Sequence, residues 1–308
     1  MQHIPIPIRV ILSNSCLISL VLFLFSLPKD AWTQENTEEN NVQNIFSHSI
    51  LINAQTTETV EKQAFEFRIQ HRFGEMDFNE PKNTILQDFV GLDGSANIRL
   101  SLAFGLSKNL QIGIGRTKID KVVDIDAKYR LLRQKKSGSP ISATAYFNTA
   151  ISTVDFPQVE SNEFFTDYIT PFEYKFSHRL AYNTQLLISK KIEEKLSLQL
   201  TPTFIYKNLV PAGYDNFIVA TTLGGRFKIG LTSYLIFEVA TKFNNRMDNY
   251  KEPISIGYEI GTVGHAFQVF VSTTNQIMEQ NLYFDQPLDY TDGNFLIGFN
   301  IKRTFWHK

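Results

Sequence analysis

From Ala64 to the C-terminus, apolar and polar residues alternate with a period of two. Phe65, Phe67, Ile69 and Phe73 share one parity, and Glu66, Arg68, Gln70 and Arg72 share the other. In an extended chain the two sets point to opposite faces. The same alternation recurs over Ile98–Leu106, Leu110–Gly115, Val123–Leu131, Ile141–Asn148, Arg179–Ser189, Leu196–Tyr206, Phe217–Ile229, Leu235–Phe243, Ile254–Gly261, Ala266–Ser272 and Asn294–Phe305. This predicts twelve strands, most of them near the ~10 residues that a tilted strand needs to cross a bilayer.

The connections alternate as well. Short turns follow every second strand, as at Ser107-Lys108-Asn109 and Glu193-Glu194-Lys195. Longer loops follow most of the others, including 74–95, 153–174 and 274–293; only 117–121 is short on that side. An even strand count with short turns at one end and long loops at the other predicts an all-β, up-and-down antiparallel transmembrane barrel. Pro202 removes one ladder donor, and a local bulge is expected there.

A soluble sandwich or lipocalin-like barrel would also alternate, with its apolar parity turned inward. The charges decide between the two. Arg, Lys, Asp, Glu and Gln sit mid-strand on the polar parity among Gly, Ser, Thr and Asn, which suits a crowded, hydrated lumen. The apolar parity is almost free of charge at its centre, as a lipid face must be, because Lys or Arg at the midplane costs ~2–4 kcal/mol. Aromatics gather toward strand ends (Phe73, Phe104, Tyr129, Tyr206, Phe227, Phe243, Phe305, Trp306), where interfacial girdles lie. The aromatic end of the last strand is of the kind that outer-membrane assembly machinery reads.

The N-terminus carries an address. Arg9 precedes an apolar run from Val10 to Leu27, Pro28 breaks it, and Ala31-Trp32-Thr33 offers an imperfect small-residue cleavage pattern. Residues 1–33 are expected to be a secretory signal peptide; an uncleaved anchor is the alternative, although the dense apolar core is shorter than a spanning helix needs. Residues 34–63 are expected to be a flexible periplasmic leader or a plug, beginning acidic and Asn-rich, and residues 64–308 the barrel.

Composition narrows the chemistry. The 308 residues carry 30 Lys+Arg against 31 Asp+Glu, so bulk charge gives no reason for nucleic acid as a partner. The single cysteine, Cys16, lies in the signal segment, which removes disulfides and cysteine-metal sites from the mature chain. The six histidines form no i,i+4 pair, and no cofactor is expected. An outer-membrane lipid-modifying hydrolase would need Ser, His and an acid converging on one face. Ser177 and His178 come nearest, but as strand neighbours they would point apart. Gly113 and Gly115 are expected to make room for bulky lumen neighbours.

The inward parity holds the stronger signal. Arg68, Arg72, Arg99, Lys128, Arg130, Arg179, Arg226, Lys228, Lys242 and Lys302 are expected inside, against Glu66, Asp124, Asp126, Glu238 and Glu259. Ten bases facing five acids leave the lumen positive although the whole chain is not. These charges either pair across the lumen and plug it or line a passage for small anionic solutes, since rings of Arg and Lys select anions. A third class is a surface receptor or adhesion role through the outer loops, with Phe164, Phe165, Asp167 and Tyr168 in the loop 156–174 as a candidate surface.

Several strings, taken in order, resemble a known family: Phe67-Arg68-Ile69-Gln70-His71-Arg72-Phe73-Gly74, Gly91-Leu92-Asp93, Ile112-Gly113-Ile114-Gly115-Arg116 and Lys128-Tyr129-Arg130-Leu131-Leu132-Arg133-Gln134. They are followed by Gln185-Leu186-Leu187-Ile188-Ser189-Lys190-Lys191, Asn208-Leu209-Val210-Pro211, Gly224-Gly225-Arg226-Phe227-Lys228 and Gly264-His265-Ala266-Phe267-Gln268. Together, from about Ser49 to the C-terminus, they resemble a Bacteroidetes β-barrel family catalogued only as a domain of unknown function. The resemblance implies a Gram-negative outer-membrane barrel and carries over no catalytic residue. The expectation is an outer-membrane barrel, not an enzyme, in contact with the lipid bilayer, either passing small solutes or serving a structural or binding role.

Overall fold

The computed structural model describes residues 40–79, 82–158, 169–211, 213–246, 250–262, 264–284 and 287–306. The expected signal peptide, residues 1–33, lies outside them, as do Phe164, Phe165, Asp167 and Tyr168. The chain divides into two compact units, Met1–Asn41 and Val42–Lys308. Of the first, only Asn40 and Asn41 are described.

The second unit is a closed antiparallel barrel. Its strands are β1 (Ala64–Asp77), β2 (Asn97–Gly105), β3 (Leu110–Thr117), β4 (Val122–Leu132), β5 (Ser142–Ser152) and β6 (Leu180–Ile192), then β7 (Leu196–Lys207), β8 (Phe217–Lys228), β9 (Ser233–Lys242), β10 (Ile254–Thr262), β11 (His265–Ser272) and β12 (Asn294–Trp306). Each pairs with its sequence neighbours, and β1 closes onto β12 from Ala64↔Trp306 to Asp77↔Asn294. Closure removes the exposed edges that a bilayer would not tolerate.

One parity faces outward, and it is the apolar one. Ile125, Ile256 and Val269 are 63%, 61% and 59% exposed in the isolated chain, whereas Arg68, Arg72, Lys128 and Lys302 are 0% exposed. A soluble protein would invert that order. The outward face is therefore the lipid face. Aromatic contacts mark its ends: Phe65 meets Phe104 at the rim where β12 ends, and His71, Phe73 and Phe299 cluster toward the other rim.

Two ladders carry a one-residue shift, between Arg72 and Glu75 of β1 against β12, and between Arg130 and Leu132 of β4 against β5. The bulge expected at Pro202 is absent. Pairing of β7 with β6 lapses between Thr203↔Gln185 and Leu200↔Ile188, yet the register on either side is the same, and β8 pairs through Pro202↔Thr221. Lacking an N–H, the proline cannot donate to the ladder, but no residue has been inserted.

The lumen is full. Residues 42–63 enter and leave at the end where the short turns lie: Val42 N–H donates to Gln134 O, and Gln63 N–H donates to Gly105 O. In between, the chain runs inward and doubles back at Leu51–Ala54, with Ile50 bridged to Gln55. Of the alternatives for residues 34–63, the described part is an inserted hairpin. From the opposite end the β11–β12 connection, expected to be an outer loop, folds partly into the barrel. It carries a single helical turn, α1 (Glu279–Leu282), all four residues of which are buried.

Candidate functional site

The lumen wall is built by the period-two pattern, which turns every second residue of twelve strands onto one axis. Glycine makes the crowding possible at two places on β3. Gly113 stands opposite Asp126, and Gly115 opposite Asp124. A Cβ at Gly113 would strike the Asp126 carboxylate, and one at Gly115 the Arg99 guanidinium.

Arg68, Arg72, Arg99, Lys128, Arg130, Arg226, Lys242 and Lys302 are buried, as are Glu66, Asp124, Asp126, Glu238 and Glu259. These eight bases and five acids leave a wall excess of three positive charges. Arg179 and Lys228 stand apart from that set, half-buried at opposite rims. Arg179 lies in a 3-10 turn before β6, donates to Ser152 O at 3.2 Å and to Val154 O, and covers the Phe156 ring at 3.9 Å.

Some wall charges pair with each other. Arg99 meets Asp124 at 2.6 Å, Arg68 meets Glu66 at 2.9 Å, and Arg226 meets Glu259 at 3.5 Å. Others are satisfied by the hairpin. Lys302 Nζ donates to Ile50 O at 2.5 Å and Leu51 O at 3.2 Å, and Lys128 Nζ donates to Ser49 O and, at 3.1 Å, to Thr56 O. Arg72 donates to Asn53 Oδ1 at 2.7 Å and Ile52 O at 3.3 Å, and its guanidinium lies 4.4 Å from the Phe270 ring centroid. Arg130 approaches Glu58 of the hairpin at 3.6 Å. The reverse contact is made at the hairpin tip. The Glu238 carboxylate accepts from the N–H groups of Ile52, Asn53 and Ala54 at 2.7–3.0 Å.

Apolar contacts complete the seal. Ile45, Phe46, Leu51 and Ile52 pack with Ile236 and Phe270, two apolar residues on the inward parity. At the outer end, Leu282 and Tyr283 pack with Ile205, Ile218, Ala220 and Ala240. Tyr283 also holds Thr222 at 2.7 Å and accepts from Lys242 Nζ on its carbonyl at 2.7 Å.

The two insertions meet mid-barrel. The Glu279 carboxyl accepts from Asn183 Nδ2 at 2.8 Å and from the Gln55 backbone N–H. Burial, reinforced by nearby Glu238, pushes the Glu279 carboxyl up to about 7. The cavity left at this junction, among Asn53, Glu238, Ser255 and Glu279, is only about 10 Å³, room for one water.

The hydrolase candidates do not converge. His178 Nδ1 accepts from the Lys175 N–H at the outer rim, and His265 stacks on Phe267 on the outer face of β11. The period-two reading left a plug as one alternative for residues 34–63 and missed the second insertion, from the β11–β12 connection. The available signal was the set of apolar residues on the polar parity, Leu187, Ile205, Ile218, Ile236 and Phe270, together with the apolar Ile45–Ile52 stretch in the leader.

Among solved structures, the chain is similar to the NanC porin (8% identity, TM-score 0.47, 79% of this chain and 100% of that one). It is also similar to the KdgM porin (10%, 0.45, 79% and 99%) and to the COG4313 outer membrane channel from Pseudomonas putida F1 (12%, 0.48, 81% and 98%). Overlap this loose carries nothing about solute or gating. No curated protein matches the chain. Residues 46–305 match the family described as a membrane bound beta barrel domain, DUF5777. That span takes in most of the inserted hairpin and every strand but the last residue of β12, and the exposed apolar band requires hydrocarbon around it. The chain belongs to the DUF5777 family of membrane-bound β-barrels.

Proposed function

We propose that this barrel is a gated passage for small anionic solutes, closed at rest by its own hairpin and by α1. The observation that carries the reading is the kind of contact holding the hairpin. Lys128, Lys302 and Arg72 reach hairpin carbonyl or amide oxygens rather than carboxylates of the wall. A lumen meant to stay dry is more stable when filled with apolar side chains than with buried charge. This wall is instead one that water can re-solvate once the hairpin leaves, and it would then be positive.

Topology supports departure. Both ends of the hairpin lie at the short-turn end of the barrel, the periplasmic side. It can withdraw as a loop without threading.

The test is planar-bilayer conductance of four forms of the full chain: wild type, a hairpin deletion, an α1-loop deletion, and both deletions together. The expected result is a nearly silent wild type and a conducting double deletion whose reversal potential in a KCl gradient favours chloride. A double deletion that folds and stays silent, or that prefers potassium, overturns the proposal.

A further inference from the structure

A second, larger cavity lies beneath the outer mouth, between the wall and α1. Its volume is about 160 Å³, and its lining includes Asp120, Ala150, Arg179, Lys207, Met278 and Asn281. An apolar cavity of ~150 Å³ suffices to hold a molecule the size of benzene. Here the lining is mixed. Ala150 and Met278 are buried apolar surface, whereas among the described lining residues Arg179 and Lys207, the latter also 4.4 Å from the Phe284 ring centroid, bring two positive charges against the one of Asp120.

The polar contacts in this cavity also pin α1. Asn281 Nδ2 donates to Asp120 Oδ2 at 2.9 Å, and Asn281 Oδ1 accepts from Lys207 Nζ at 2.8 Å. One amide of the helical turn is thus held between an acid of the β3–β4 connection and a base at the end of β7. A carboxylate is a stronger acceptor for an ammonium than a neutral amide oxygen. An anion entering the cavity would compete with Asn281 for Lys207. Arg179 can join it, since its guanidinium has five N–H groups and the Ser152 and Val154 carbonyls draw on Nη1.

We propose that this cavity is a binding site for a small organic anion with a compact apolar body, and that the bound carboxylate takes Lys207 from Asn281 and loosens α1. The inference rests on the reading that α1 closes the mouth, and it names the event that opens it.

The test uses the full chain in detergent micelles with benzoate as probe and benzamide as its neutral counterpart. Calorimetric titration should show benzoate binding at least tenfold tighter than benzamide. Hydrogen exchange at the amides of Glu279–Leu282 should speed up at saturating benzoate. Ala150→Trp fills the cavity without touching the charges and should abolish binding, and Lys207→Gln should weaken it at least tenfold. Equal binding of the two probes, unchanged binding by Ala150→Trp, or unchanged exchange of α1 overturns the inference. None of these readouts needs ion flow, so a failure here is distinct from a failure of the conductance experiment.

Discussion

Glu238→Gln is the sharpest perturbation of the hairpin, because it changes charge with almost no change in shape. Glu238 Oε1 accepts from Ile52, Asn53 and Ala54 at 2.7, 3.0 and 2.9 Å, and Oε2 accepts a second contact from Asn53 at 2.9 Å. A glutamine keeps one acceptor oxygen for the three N–H groups. It loses the charge and turns an amino group toward Asn53. Hydrogen bonds to an ionised acceptor are about twice as strong as neutral ones, roughly 1.5–3 against 0.5–1.5 kcal/mol. Three bonds sharing one oxygen are not additive, so the net loss is about 2–3 kcal/mol rather than the full sum. That corresponds to a rise of about 30- to 150-fold in the population of the withdrawn hairpin.

Hydrogen exchange resolved by mass spectrometry reads this directly, as lost protection at the amides of residues 51–54. Glu194→Gln serves as the control, since it removes a surface pair with Lys191 from a carboxylate that is 83% exposed. That change should leave the hairpin amides alone. If Glu238→Gln and Glu238→Ala both alter protection at residues 51–54 by less than threefold, the carboxylate does not hold the tip and the reasoning fails.

Two further predictions rest on other elements. Burial raises the Glu279 carboxyl from 4.5 to about 7. The docked loop is therefore favoured in full below pH 4.5 and loses stability as pH rises toward 7, by at most roughly 3 kcal/mol. Protease cleavage within 279–284 should accelerate over that window in wild type and become flat with pH in Glu279→Gln; a wild-type rate independent of pH contradicts this assignment. On the outer face, Ile125→Arg places a guanidinium on the lipid side of β4 and should cost ~2–4 kcal/mol in urea unfolding from lipid vesicles. A cost below about 0.5 kcal/mol would mean that Ile125 does not face hydrocarbon.

The strands were legible because a membrane barrel repeats one instruction. Each residue of β1 or β4 faces either lipid or lumen, so Phe65, Phe67 and Ile69 separate from Glu66, Arg68 and Gln70 by parity alone. Eight of the ten expected bases and all five acids on the wall followed from the same count, whereas Arg179 and Lys228 lie half-buried at the rims. The partners of the wall charges did not. Whether Lys302 meets a carboxylate or the Ile50 carbonyl depends on a contact 252 residues away in the chain, made by backbone with no period to announce it. The hairpin is irregular because it makes only a few bonds within itself, such as Leu51 N–H to Ala54 O and Thr56 N–H to Ser49 O, and many of its other polar groups are satisfied by the wall. The unexpected behaviour at Pro202 has a local cause: a missing N–H interrupts pairing on one side, and the strand keeps its count because no residue is added.

The hairpin precedes every strand of the barrel in the chain, yet its anchors are scattered through the remainder. Ile52 binds Glu238 186 residues later and Asn300 248 residues later. The earliest-made part of the domain thus cannot complete its contacts until both β9 and β12 have joined the wall.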